Sequence, residues 1–209
     1  YTLDSNLQRN FNFGGVNYNV MVGLDMMKER SDYYRRTDTI NSFNADHPNY
    51  GITSVKLGTP TQELTYSQYA GLYLRNTIKI DDNWIIGLSG RHDWTQVEID
   101  NVLKNTTTQN SDQAFTGSTS VMYRINDMFS PYISYATSAN PVGVDGGDGS
   151  EGITAAIQNL KPEEVKTYEL GTKWNVLNEK LNLTAAIFRT EKTNTRATAE
   201  DGTTQNIGE

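Results

Sequence analysis

Tyr33, Tyr34, Arg35 and Arg36 place two phenol rings beside two guanidinium groups in four consecutive positions. Aromatic walls and cationic donors together suit a bulky, often anionic ligand rich in aromatic or carbonyl oxygens. The segment Gly143 to Gly152 is the other conspicuous cluster, rich in glycine and acidic oxygen donors. It lacks the ligand order of an EF-hand and any nonapeptide repeat, so a solvated loop is expected there. No strand-loop-helix context surrounds its glycines, which excludes a phosphate cradle. His47 stands alone in Asp46-His47-Pro48 with no second ligand at metal-binding spacing, and is expected at the surface. No nucleophile elbow, histidine pair or helix-borne carboxylate pair is present, so nothing supports an enzyme.

The elements that position these residues are strands. Tyr1 to Phe13 alternates Leu3, Leu7 and Phe11 with Asp4, Asn6, Gln8 and Asn10, and the turn Gly14-Gly15-Val16-Asn17 leads into Tyr18, Val20, Val22, Leu24 and Met26 opposite Asn19, Gly23, Asp25 and Glu29. A period of two marks half-buried strands. A third stretch, about Thr65 to Ile80, and a fourth, about Trp84 to Ile99, flank Asp81-Asp82-Asn83. The fifth carries Phe115, Val121, Tyr123 and Ile125, the sixth Ile133 and Tyr135, the seventh Tyr168, Leu170 and Trp174, and the eighth Leu181, Leu183, Ala185 and Ile187. Connections after odd strands are short. Those after even strands are long, covering about Thr37 to Leu64, Asp100 to Gln113, Ser138 to Glu163, and Glu191 to the end. Turns at one end and long loops at the other are the construction of a membrane β-barrel.

Composition fits that construction. A mean hydropathy of -0.61 with 21% charged residues is compatible with strands that give only one face to lipid. No apolar run is long enough for a transmembrane helix. A net charge of -7 and the absence of a basic patch argue against nucleic acid as a partner. With no cysteine, disulfides and thiolate metal sites are excluded in this segment. The chain opens directly on a strand, without a signal peptide, and closes on loop-like residues, so an internal fragment is expected. Two other readings remain at this level: a complete eight-stranded barrel with a structural or adhesion role, and a soluble β-rich binding module.

Ordered motifs carry a resemblance. Tyr1-Thr2-Leu3-Asp4-Ser5-Asn6-Leu7-Gln8, Val22-Gly23-Leu24-Asp25, Gly71-Leu72-Tyr73-Leu74, Gly90-Arg91-His92-Asp93-Trp94, Ser130-Pro131-Tyr132-Ile133-Ser134-Tyr135, Lys161-Pro162-Glu163 and Tyr168-Glu169-Leu170-Gly171-Thr172-Lys173-Trp174 resemble successive strands of TonB-dependent siderophore receptors of the ferrichrome and catecholate types. Leu183 to Asn194 is most similar to the catecholate branch. The resemblance covers residues 1–209 as part of the barrel domain, and implies an all-β fold: about eight antiparallel transmembrane strands from a plugged barrel of about 22. It implies the outer membrane of a bacterial cell, transport of ferric siderophores with iron present only inside the ligand and no cofactor, and energy from TonB acting through a plug that this segment lacks. His92 and Ala139 depart from the family's usual Tyr and Phe.

Within that resemblance Tyr33, Tyr34, Arg35 and Arg36 lie at the outer end of the second strand, where similar receptors place aromatic ligand contacts. The competing assignment puts the tyrosines in the upper aromatic girdle and the arginines on lipopolysaccharide phosphates or acidic loop residues. Trp94 has lipid phase and is expected in the girdle. Arg75, Arg91 and Asp93, and Lys173 with Glu169, have lumen phase and are expected to pair across the wall or hold the plug.

Overall fold

A computed structural model describes residues 1–37, 46–47, 58–142, 158–177, 180–198 and 204–207. Eight long strands run in chain order as one antiparallel sheet: β1 (Thr2–Phe13), β2 (Val16–Arg35), β3 (Thr61–Ile80), β4 (Trp84–Asn101), β5 (Thr106–Tyr123), β6 (Phe129–Asn140), β7 (Glu163–Val176) and β8 (Leu181–Thr193). A separate hairpin follows, β9 (Thr195–Thr198) with β10 (Thr204–Ile207). The first turn uses Gly14 and Gly15 at φ of 61° and 84°, a backbone shape that two side-chain-bearing residues would adopt only under strain. β1 and β8 are the edges of the sheet and do not pair with each other.

The register carries one side-chain phase across the whole wall. Met26, Ala70 and Trp94 fall on one row, as do Val22 and Leu74, and Tyr18, Ile78 and Ile86. On β2 this outward face is apolar from Val16 to Met26. Ten residue steps at about 3.3 Å, tilted by about 40°, span about 25 Å, the height of the lipid-facing band of an outer-membrane barrel. Aromatic pairs stand at the turn end of that band: Trp84 with Tyr123 at 4.6 Å between centroids, and Phe129 with Trp174 at 5.6 Å. Trp94 stands at its opposite limit beside His92, 4.3 Å away.

The expected long connection from Asp100 to Gln113 is not there. β4 and β5 continue as a paired ribbon to Asn101 and Thr106, closed by the turn 102–105. Asn101 Oδ1 accepts the Lys104 N–H at 3.0 Å, and Asn105 takes a φ of 52°, both ordinary chemistry for a tight turn. This extension holds the buried apolar pair Val97 and Ile99 on the inward face. The other two long connections between strands fall near their expected places. β3 starts earlier than expected, at Thr61, and Ile125 belongs to the turn after β5 rather than to the strand.

Between β5 and β6 the ladder is short. Only Ser118 to Met122 pair with Tyr132 to Ala136. Beyond them the wall divides, with β5 held by β4 and β6 by β7. At the fork the Thr137 hydroxyl takes the place of a ladder bond: it accepts the Gly117 N–H at 2.9 Å and donates to the Gly117 carbonyl at 3.3 Å. Farther out, Asp112 Oδ2 accepts the Val142 N–H at 3.0 Å and Asn110 Nδ2 donates to the Gln158 carbonyl at 2.6 Å. Val142 is buried beneath these contacts.

Candidate functional site

Eight residues separate Met26 from Tyr34, about 26 Å along the strand and about 20 Å beyond the apolar band. The Tyr33 to Arg36 segment therefore stands on the outer extension of the wall, well above the girdle level marked by Trp94. Strand alternation divides the four. Tyr33 and Arg35 share the inward phase of Asp25 and Gly23, while Tyr34 faces outward in the phase of Met26. Arg36 lies 5.8 Å from the Tyr34 ring as a cation–π pair. Tyr34 is 55% exposed, whereas Tyr33 is half-buried.

Neighbouring strands complete an inward row that the sequence did not single out. Tyr33 is opposite Glu63, and Glu63 is opposite Asn101, whose Nδ2 donates to Glu63 Oε1 at 3.2 Å. Arg35 is opposite Thr61. The inner face of the mouth thus presents a phenol, a guanidinium, a carboxylate and a carboxamide on three adjacent strands. Such a set can stack on a planar ligand group and bond its anionic and carbonyl oxygens.

Deeper in the lumen Arg91 holds the wall together. Its guanidinium meets Asp25 at 2.8 Å and Asp93 at 2.6 Å, donates to the Tyr69 hydroxyl, and lies 5.4 and 5.6 Å from the Tyr69 and Tyr73 ring centroids. Tyr69 in turn donates to Asp93 at 2.5 Å. Gly71 makes the cluster possible, because a Cβ there would occupy the space of the Arg91 and Asp25 side-chain tips. The expected pairing across the wall is therefore present, Arg91 meeting Asp25 of β2 and Asp93 meeting Tyr69 of β3, while the Arg91–Asp93 ion pair lies within β4. Lys173 and Glu169 likewise meet a neighbour across the wall, Tyr132 of β6, which donates to Glu169 at 2.5 Å and whose ring centroid lies 5.5 Å from Lys173. Arg75 projects into the lumen with no ion pair among the described residues. Tyr69 is marked in the sequence only by sharing the phase of Gly71 and Arg75, and Tyr73 and Tyr132 stand in the ordered motifs with nothing there to show their charged partners.

On the outer extension beyond Trp94, burial pushes the Asp112 carboxyl above the usual aspartate range. The Val142 N–H and the charge of Arg196 oppose that shift. His47 is exposed, and residues 143–152 lie outside the described residues.

The family described as "TonB dependent receptor-like, beta-barrel" matches residues 1–209. The chain is similar to the "Probable TonB-dependent siderophore receptor PiuA" of Acinetobacter baumannii, 42% identical over 146 residues, covering 66% of this chain and 19% of the relative. It is also similar to "Catecholate siderophore receptor Fiu" of Escherichia coli K12, 27% identical over 238 residues, covering 99% of this chain and 31% of the relative. Among solved structures, "Crystal structure of the siderophore receptor PiuA from Acinetobacter baumannii" superposes with a TM-score of 0.80 at 30% identity, covering 99% of this chain and 34% of that one. The chain thus spans about a fifth to a third of the length of these relatives.

Proposed function

We propose, for a chain that belongs to the TonB-dependent receptor β-barrel family, that it forms part of the wall of an outer-membrane receptor importing ferric siderophores. The ligand is bound at the outer mouth, and passage through the lumen is energised by TonB acting on a plug. Iron travels as cargo inside the siderophore. The family match and the siderophore-receptor names of its relatives support the class of ligand.

The observation that carries the location is the inward row on the outer extension. Tyr33 and Arg35 point into the mouth from β2, with Glu63 and Asn101 continuing the row on β3 and β4. Tyr34 and Arg36 belong to the outer surface in this reading. The Arg91 cluster faces the lumen with one cation between two carboxylates, an arrangement suited to fixing the wall and presenting residual negative charge to the plug.

Deleting the whole gene and scoring growth under iron limitation on single siderophores tests the proposal. Growth on at least one ferric siderophore should depend on the gene and return with the full-length copy. Growth that is independent of the gene on every siderophore, with ferric siderophore uptake unchanged, overturns it.

A further inference from the structure

The fork between β5 and β6 closes again toward the mouth. The register that sets Ser118 opposite Ala136 would, continued along both strands, set Asp112 opposite Val142, and those two residues are bonded at 3.0 Å. Residues 113–117 and 137–141 thus bound an opening in the wall, with paired strands below it and the Asp112–Val142 bond above. A concavity of about 610 Å³ occupies it. Its lining comes from both faces of the sheet: Phe115 and Ala139 have outward phase, whereas Ala114, Ser138 and Val165 have inward phase. The opening therefore passes through the wall. The Phe115 ring leans away from β6 over Gly90 of β4, where an added Cβ would lie 3.3 Å from it. Ala114, Gly117, Ser138 and Ala139 bring only small side chains, or none, to the gap. At the inner rim Asn194 Nδ2 donates to the Pro162 carbonyl at 3.2 Å, which fixes the Lys161-Pro162 segment there.

We infer that this opening takes the fatty acyl chain of an amphiphilic ferric siderophore whose iron-bearing head stands in the mouth. The site rests on the siderophore reading proposed above and narrows it to a ligand class. On the outer side, Phe115 is 73% exposed and stands one outward row below Gln113, the partner of the Trp94 that marks the limit of the apolar band. An acyl chain emerging there meets lipid tails. On the inner side, Ser89, Ser138, Lys161 and Asn194 give the concavity a polar lining. A chain that crosses the wall must belong to a molecule with its polar part inside, because a membrane lipid keeps its head at the bilayer surface and its tails along the wall. Without the opening, a tail attached to a ligand in the mouth would stay in water, forgoing about fourfold in affinity for each methylene. Ala139 is one of the two positions that depart from the resembled receptors, and the larger Phe usual there would fill much of the gap.

The test uses the full-length receptor in lipid nanodiscs and two radioiron-loaded heads, ferrioxamine B and a tripodal tris-catecholate, each carrying either an acetyl or a dodecanoyl group. Retention on empty nanodiscs is subtracted. For a head that binds, the dodecanoyl complex should bind about tenfold more tightly than the acetyl complex, the effect of about two methylenes leaving water. Ala139→Phe, which fills the opening from β6, and Ala114→Leu, which fills it from β5, should each abolish that advantage, with heat-modifiable migration confirming a folded barrel. A diazirine placed in the middle of the dodecanoyl chain should label residues 113–117 or 137–139. Equal binding of the two acyl forms by the unaltered receptor overturns the site and leaves the siderophore reading standing. So does an advantage that survives both substitutions, or labelling confined to lipid. Failure to retain either head in either acyl form overturns the siderophore reading and this site together.

Discussion

At the residue scale, consecutive positions on a strand do opposite things. Tyr33 and Tyr34 are chemically equal in sequence, yet alternation sends one to the mouth and the other to the exterior. Tyr33→Ala is therefore expected to weaken ferric-siderophore binding by about tenfold, the loss typical of a buried aromatic contact. Tyr34→Ala should leave it within about twofold, since its ring is exposed on the far side of the wall. Equilibrium binding to the full-length receptor measures both. Arg91 makes a different prediction. Replacing it with Leu leaves Asp25 and Asp93 facing each other without a cation, so the barrel should lose about 2 kcal/mol in urea unfolding, allowing for the water that reaches these part-exposed groups. The alternation itself was legible, which is why Arg91 and Asp93 were assigned to the lumen. Their tyrosine partners were not, because cross-strand neighbours come from register, and a sequence shows phase before it shows register.

At the element scale, the error over Asp100 to Gln113 has a physical cause. Thr106-Thr107-Thr108-Gln109-Asn110-Ser111 is polar on both faces because this ribbon stands clear of the lipid, so the period-two signal disappears while the strand continues. β-branched threonines and a tight turn hold it instead. The membrane-embedded portions were easy to find for the opposite reason, since lipid demands an apolar residue at every second position. Two predictions belong here. Thr137→Val keeps the shape but leaves the Gly117 N–H without its acceptor, and should cost about 1–2 kcal/mol in urea unfolding. Asp112 binds its proton more tightly folded than unfolded, so the stability linked to it is complete below about 3.9, the ordinary aspartate value, and is lost as pH rises through its raised folded value. Asp112→Asn should remove that part of the pH dependence, narrowing the difference between thermal midpoints measured at acidic and neutral pH.

At the scale of the whole molecule, the sheet is an arc. Its outward face has the height of a lipid band and its inward face carries charge. The edges β1 and β8 leave backbone donors and acceptors unpaired, which in lipid is costly unless further wall continues the ladder. Residues 1–209 expressed alone are accordingly expected to give no heat-modifiable band in detergent, whereas the full-length protein should. A band from the segment by itself would mean that eight strands suffice for closure. The fork above Ser118 and Ala136 gives the arc a second property. Below it the strands form a continuous sill; above it stand two panels, one carrying Tyr33 and Arg35, the other β6 to β8, joined along the described strands by a few side-chain bonds. Each panel can change its sequence, length or lean while the sill beneath stays intact. Receptors sharing one membrane wall can thus diverge in the ligands they admit by exchanging panels alone, and a chimera carrying a foreign panel should still insert and fold.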